Sequence, residues 1–507
     1  METSHYRREY AAYHTDIERA RYEHFSGVTP SPRFETIRER HAHLWTRDSI
    51  AALDGERVET PTQFETARAG LHALAGAARL AYVEARAHEV SDELSRCESA
   101  SRVEWGGEEL TSRDASVRLA AEADADRRRE LAARWVEQVR ACDDLRAARL
   151  ESLRDAAREL GFDSYAALLA GATNADYETL TAAAEVVLER TAAAYEPLLA
   201  GWAARRLPPD RVRERDYADE LFFARRADLD PSFPARELRK TYEAAMRDAG
   251  VYAGRQNNLR VEESTWAEAR GAGCFALSPP DDVRLAFYAS AGADSYRDVF
   301  HAAGRANQLA WASRDLSGRY PEFVHPPDRA AGAGFGFLLR GLFSEPAWIA
   351  ERRGVRPAEA EEIARACALT EMYEARRDCA RVGDESELFA ARDPRSESLA
   401  AACAARRGEA TGFRQPPALL LFNLPAGGAC ASEALRGRLF AASLAEYLRT
   451  RHGARWWSRR AAGDELIDLW NTASRYSVEE LAPLSGAGAL DPELLAASLN
   501  VAASKKA

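Results

Sequence analysis

Ala, Arg, Leu and Glu dominate this 507-residue chain. These residues lose least on entering a helix, so helices should fill most of its length. One window departs from that rule. Leu259–Arg260–Val261–Glu262 and Val283–Arg284–Leu285–Ala286–Phe287–Tyr288 open with apolar–polar alternation, the period of half-buried strands. Between them Cys274–Phe275–Ala276–Leu277 runs into Ser278–Pro279–Pro280, a strand followed by a turn. This small sheet is the only β candidate. The chain is therefore expected to be mainly α.

Helix boundaries follow from caps and breakers. Tyr6 to His24 and Arg33 to Leu53 read as helices separated by Pro30–Ser31–Pro32. Thr62–Gln63–Phe64–Glu65 has the pattern of a capping box and opens a helix to about Cys97. After a break at Gly106–Gly107, Ser112 to Leu160 is one long helical stretch, closed by Gly161. Asp163 starts a short helix. Asp176 opens another through Leu207, stopped by Pro208–Pro209, and Pro234 sits ahead of a helix to about Gly250. Beyond Asp294 everything returns to helix.

Composition narrows the function. A hydrophobic fraction of 46% and a charged fraction of 29% exclude disordered and fibrous chains. No run of about 18 apolar residues is present, so no transmembrane helix is expected. The first ten residues are polar, so no secretory signal is expected either. Seven cysteines, at 97, 142, 274, 367, 379, 403 and 430, form no CxxC pair and no evident disulfide framework. A reduced, cytoplasmic setting is the resulting expectation. The net charge of −11 argues against nucleic-acid or anionic-membrane partners.

Chemistry concentrates at Asp294–Ser295–Tyr296–Arg297–Asp298–Val299–Phe300–His301–Ala302–Ala303–Gly304–Arg305–Ala306. Positions 301 and 305 lie one helical turn apart, on one face. A zinc-peptidase HExxH helix places two neutral imidazoles at those positions, with a glutamate after the first to activate the metal's water. Here His301 is present, but Ala302 and Arg305 stand at the other two positions.

The surrounding motifs resemble the thimet oligopeptidase / oligoendopeptidase F family of zinc metallopeptidases. Leu160–Gly161–Phe162–Asp163–Ser164–Tyr165 is similar to that family's turn after a long helix. Gly273–Cys274–Phe275, Val283–Arg284–Leu285 and Asp294–Ser295–Tyr296 resemble the strands and turn before its zinc helix. His301–Ala302–Ala303–Gly304–Arg305–Ala306 aligns with its HEAGHA motif. Gly334–Phe335–Gly336–Phe337–Leu338–Leu339 with Glu345–Pro346–Ala347–Trp348–Ile349 resembles its next segment. Leu435–Arg436–Gly437–Arg438–Leu439–Phe440 and Gly453–Ala454–Arg455–Trp456–Trp457 match later helix and turn motifs. The likeness runs from about 145 to 500. It implies a large two-lobed helical body around a deep channel, with the sheet beside the former active site. Residues 1–250 would form an N-terminal lobe roofing the channel. Residues 251–507 would form a catalytic-like lobe interlocked with it.

The departures from the family carry the functional reading. The resemblance implies a third zinc ligand at position 333, which is Ala333 here. Zinc, expected for the family, is therefore expected to be absent. Arg305 has no acceptor and keeps its charge, which opposes a divalent cation. The family's Tyr-bearing loop falls near Gly427 to Ser432, where no Tyr stands. The chain is accordingly read as a pseudopeptidase, with former active-site positions Cys274, His301, Ala302, Arg305 and Ala333 as candidate ligand-binding residues. Its partner would be a peptide, a small anionic ligand or a protein in the channel. Two alternatives stay open: a metal-free enzyme using His301, Arg305 and Cys274, and an active metallopeptidase with substitute ligands. Arg305 itself has two readings. It either pairs with a nearby carboxylate in the vacated metal position or grips an anionic ligand.

Other features read as structure. His325 lies in a Pro-flanked loop, and His88–Glu89 lacks a second His four residues on. Gly332–Ala333–Gly334–Phe335–Gly336 fails GxGxxG and suits close helix packing. Cys274 reads better as a small buried strand residue than as a nucleophile, and Cys367 with Cys379 as core positions of one helix.

Overall fold

The computed structural model describes residues 2–29, 31–255, 257–266, 271–424 and 430–504. Among them are 22 α-helices and five short strands. Strands β1 (Arg102–Trp105) and β2 (Glu108–Thr111) form an antiparallel hairpin. Strands β3 (Leu259–Glu263), β4 (Ala272–Ser278) and β5 (Asp282–Phe287) form a separate sheet in the order β3–β5–β4. β5 is central, parallel to β3 and antiparallel to β4. The mainly α expectation holds, and the 259–288 window is the three-stranded sheet.

Several boundaries differ from the sequence reading, each for a local reason. The Thr62–Glu65 box does not form. The helix Glu65–Arg86 starts at Glu65 with Phe64 as its N-cap and no side-chain bond. Gly106 and Gly107 turn the β1–β2 hairpin with positive φ rather than breaking a helix. The stretch 112–160 is three helices, Ser112–Ala121, Ala125–Arg140 and Asp143–Glu159. The middle one is started by the Asp124 side chain, which accepts from the N–H groups of Asp126 and Arg127. Asp176 caps Tyr177–Arg206 as read from the sequence. Cys97 and Cys142 form a disulfide, which corrects the expectation that the cysteines make none. Cys274, Cys367, Cys379 and Cys403 are free and buried.

Two large apolar cores hold the molecule. One gathers residues from Leu229 to Ala482 around the three-stranded sheet and the helix Ala293–Ala310. The other joins Val83 and residues of Tyr177–Arg206 to the long helix Pro357–Ala390 and to Leu499 near the C-terminus. Chain segments before and after residue 250 therefore share one interior. Among the described residues no helix is long and apolar enough to cross a membrane.

The helix Ala293–Ala310, which carries His301, is fixed on two sides. β4 and β5 pack on one side, and the Gly-rich helix Ala330–Arg340 packs on the other. Small residues make the second contact possible. A Cβ on Gly304 would stand 2.2 Å from the Gly336 backbone nitrogen. On the far side of the Gly-rich helix, a Cβ on Gly437 of the helix Cys430–His452 would stand 3.1 Å from the Ala333 Cβ. The glycines thus serve close packing, as the sequence suggested.

Candidate functional site

Along β4 the side chains alternate. Cys274 and Ala276 point into the main core, while Phe275 and Leu277 join a cluster with Tyr22 and Phe25. β4 is an edge strand, and its free edge is covered by the N-terminal helix Thr3–Phe25. There the Glu18 carboxylate accepts the Ala276 N–H at 3.1 Å and pairs with Arg21 at 2.6 Å. Further toward the N-terminus of this helix, the Tyr10 hydroxyl donates to the His325 carbonyl. The His14 ring stacks on His325 at 4.5 Å and 5°.

His301 sits half-buried at the crossing of the two helices. Its ring meets Phe337 edge-on at 4.7 Å. Its Nδ1 is buried against Gly336, where a Cβ would lie 2.6 Å away, and has no hydrogen-bond partner. Burial, then Arg340 and Arg438, push its pKa down to about 3, so the imidazole is neutral. Ala302 is partly exposed beside it and packs on the core.

Arg305 follows one turn later. The expectation that it might pair with a carboxylate is not met: among the described residues no ion pair or hydrogen bond takes its guanidinium. Its stem lies against Gly332, where a Cβ would be 3.4 Å from Arg305 Cγ. Gly332 is thus the residue of the Gly-rich helix that faces Arg305. Ala333 points toward Gly437 and stays half-exposed on the same face as Phe337.

Beneath His301 lies a charge network that the sequence reading missed. Arg297 pairs with Glu371 at 2.7 Å and Glu374 at 3.2 Å. Arg340 pairs with Glu371 at 2.9 Å and also with Glu374. Arg438 pairs with Glu371 and, at 3.0 Å, with Asp378, while its guanidinium lies 4.1 Å over the Phe337 ring. Burial alone would raise the pKa of Glu371, but Arg340, Arg438 and Arg297 hold it well below the usual carboxylate range. His14 and His325 were also missed as neighbours of Arg305. Burial first, and Arg305 among the nearby charges, lower both pKa values, His325 to about 4.

Cys274 is poorly placed as a nucleophile. Burial pushes its thiol up to about 12, leaving almost no thiolate at neutral pH. Of the expected Tyr-bearing loop near 427–432, residues 427–429 lie outside the described residues and 430–432 open the helix Cys430–His452. His88 joins Glu35 and Asp92 in an exposed group of three possible metal donors, on helices remote in sequence from His301.

The arrangement does not fit a catalytic zinc ion. A metal-bound His normally passes its other N–H to a carboxylate or carbonyl, and the His301 Nδ1 reaches none. One turn on stands a cation, and the aligned glutamate positions are methyl groups. What the arrangement offers instead is a guanidinium with no ion pair among the described residues, close enough to the neutral His14 and His325 rings to lower their pKa values. Two cavities lie elsewhere. One of about 660 Å³ adjoins Cys142 and Trp135. The other, of about 510 Å³, lies between Arg68 and Glu480.

No family model and no curated protein matches the sequence. Solved structures do match the fold. A Deinococcus radiodurans R1 M32 carboxypeptidase superposes with a TM-score of 0.59 at 13% identity, over 97% of this chain and 96% of the other. A Pyrococcus furiosus carboxypeptidase gives 0.60 at 13% identity, over 98% of both chains. PZ peptidase A gives 0.59 at 13% identity, over 97% of this chain and 85% of the other. The chain therefore has the fold of these peptidases, as the resemblance implied.

Proposed function

We propose that this chain is a non-catalytic relative of the zinc oligopeptidases that uses the inherited cleft to bind a peptide, a small anionic ligand or a partner protein. The observation that carries this reading is Arg305, a permanent cation without a partner among the described residues, standing where a second metal-binding histidine would be. The peptidase fold supports the ancestry, since the neighbours span nearly the whole chain. The metal-free enzyme is less favoured. The Cys274 thiol is pushed up to about 12, and the His301 imidazole, down at about 3, is a feeble base. The cytoplasmic setting expected from the cysteine spacing sits poorly with the Cys97–Cys142 bridge, which suits an oxidising compartment better.

Metal analysis of the purified protein tests the reading. Far less than one zinc per chain is expected, and stoichiometric zinc would overturn it. The triple variant Ala302→Glu, Arg305→His, Ala333→Glu is expected to bind zinc. A folded triple variant without zinc would refute that register, and replacing Ala333→Glu by Gly332→Glu tests the neighbouring one.

A further inference from the structure

Among the described residues no carboxylate pairs with Arg305, and its surroundings set what could supply one. His14 and His325 stack face to face beside it as neutral rings. His325 is buried at 5% exposure, and no hydrogen bond among the described residues uses its ring nitrogens. Gly332, in the first turn of the 11-residue Gly-rich helix, lies against the Arg305 stem, so that helix presents its positive end to the same space. Glu18, the acid that bears on His325, is already committed to Arg21 and to the Ala276 N–H. The more exposed Arg329 adds a second cation on the His14 side.

We infer that the space around Arg305, His14 and His325 is a carboxylate-binding site, in which Arg305 grips one carboxylate through two parallel N–H···O bonds and the His325 imidazole supplies a further donor. This deepens the function proposed above and rests on it. A carboxylate fits better than a phosphate for two reasons. Arg305 is the cation that bears on both His14 and His325, whereas the exposed Arg329 bears on His14 alone, so the site matches a single negative charge. Glu18, close enough to bear on both His325 and Cys274, would repel a dianion more strongly. The carboxylate could be the C-terminus of a peptide or a free small acid.

Titration calorimetry on the full chain at low salt separates these possibilities, with N-acetyl-trialanine, its C-terminal amide, acetate and inorganic phosphate as probes. The free acid is expected to bind about tenfold or more tightly than the amide, a difference of about 1.4 kcal/mol. Arg305→Met should abolish that preference, and Arg305→Lys should keep only part of it. Glu18→Gln, which keeps an acceptor for Ala276, should strengthen it. Acetate competing as well as the peptide would assign the site to small acids, and much weaker competition would assign it to peptide C-termini. Acid and amide binding alike, no binding of either, phosphate outcompeting both acids, or a preference that survives in folded Arg305→Met would each overturn the inference. Zinc content keeps the two readings apart. Stoichiometric zinc refutes the proposed function itself, whereas zinc-free protein without an acid preference refutes only the carboxylate site.

Discussion

Gly304→Ala is the sharpest probe of the scaffold that positions His301 and Arg305. Gly304 has its Cα against the backbone of the Gly-rich helix. An added Cβ would meet the Gly336 nitrogen at 2.2 Å, the Phe335 carbonyl carbon at 2.3 Å and the Gly336 Cα at 2.5 Å. Non-bonded carbons rest at about 3.5–4.0 Å, so the two helices must part by roughly 1 Å. No side-chain rotation relieves the clash, because every atom met is main chain. Both helices are also held by other partners, the sheet on one side and Cys430–His452 on the other. Overpacking typically costs about 1–3 kcal/mol, and a backbone-to-backbone clash belongs at the upper end, about 3 kcal/mol. The matched control is Gly55→Ala. Gly55 lies within the helix Arg47–Glu59, and a Cβ there meets nothing within 4 Å. That change should stabilise by about 0.5–1 kcal/mol through the unfolded chain. Urea unfolding followed by circular dichroism should move the two variants in opposite directions. If Gly304→Ala unfolds within about 0.5 kcal/mol of the parent, the close crossing does not exist as described.

Two further outcomes follow from buried groups. His325, with its folded pKa lowered to about 4, binds fewer protons than in the unfolded chain between about pH 4 and 6.5. Stability is therefore complete above that window and falls as the pH drops through it, by about 1.4 kcal/mol per pH unit for this one group. His325→Leu should flatten the acid limb of a stability–pH curve, and an unchanged slope would contradict the burial assigned to the ring. Opening the Cys97–Cys142 bridge, by reductant or Cys142→Ala, should cost about 2–4 kcal/mol in urea unfolding. Intact mass after alkylation under native, non-reducing conditions checks the bridge, and both cysteines alkylated would refute it.

The sequence exposed the parts of the fold that are local and periodic. The 259–288 strands, the Asp176 cap and the His301–Arg305 spacing are each readable within a few residues. The β1–β2 hairpin went unseen although Val103 and Trp105 alternate with polar residues and are buried. Its strands are only four residues long, and β2 is half acidic, which reads as solvated surface. The breaks within 112–160 hide in helix-forming residues, with Asp124 as the sole clear signal. His14, Glu18 and His325 could not be placed beside Arg305. Two belong to the N-terminal helix and one to a loop about 300 residues later, joined because that helix packs on both β4 and the turn at 321–325. Glu371, Glu374 and Asp378 share one helix face, a spacing that looks like a solvated acidic stripe. Their partners come from three other helices, so only tertiary packing reveals the face as buried.

That network also bears on whether the triple variant could bind zinc. Glu371 alone meets Arg297, Arg340 and Arg438, so one carboxylate ties three helices to a fourth. Removing one member of such a buried set usually costs about 3–5 kcal/mol, because its partners are left uncompensated. The network therefore holds the floor under His301 in place whatever occupies the cleft. With Asp294 on Arg297 and Arg377 on Asp378 included, its four arginines face four acids, so seen from His301 it is nearly neutral, although Arg340 and Arg438 are the members that most disfavour imidazolium after burial. Arg305 has no such balance. At an effective dielectric of about 20, a dication held about 4 Å from a guanidinium faces roughly 8 kcal/mol of repulsion, twice the single-charge value. The step that decides zinc binding in the triple variant is therefore Arg305→His. The two glutamates added without it should leave the protein metal-free. Zinc uptake by that double variant would show that the Arg305 charge does not govern the site.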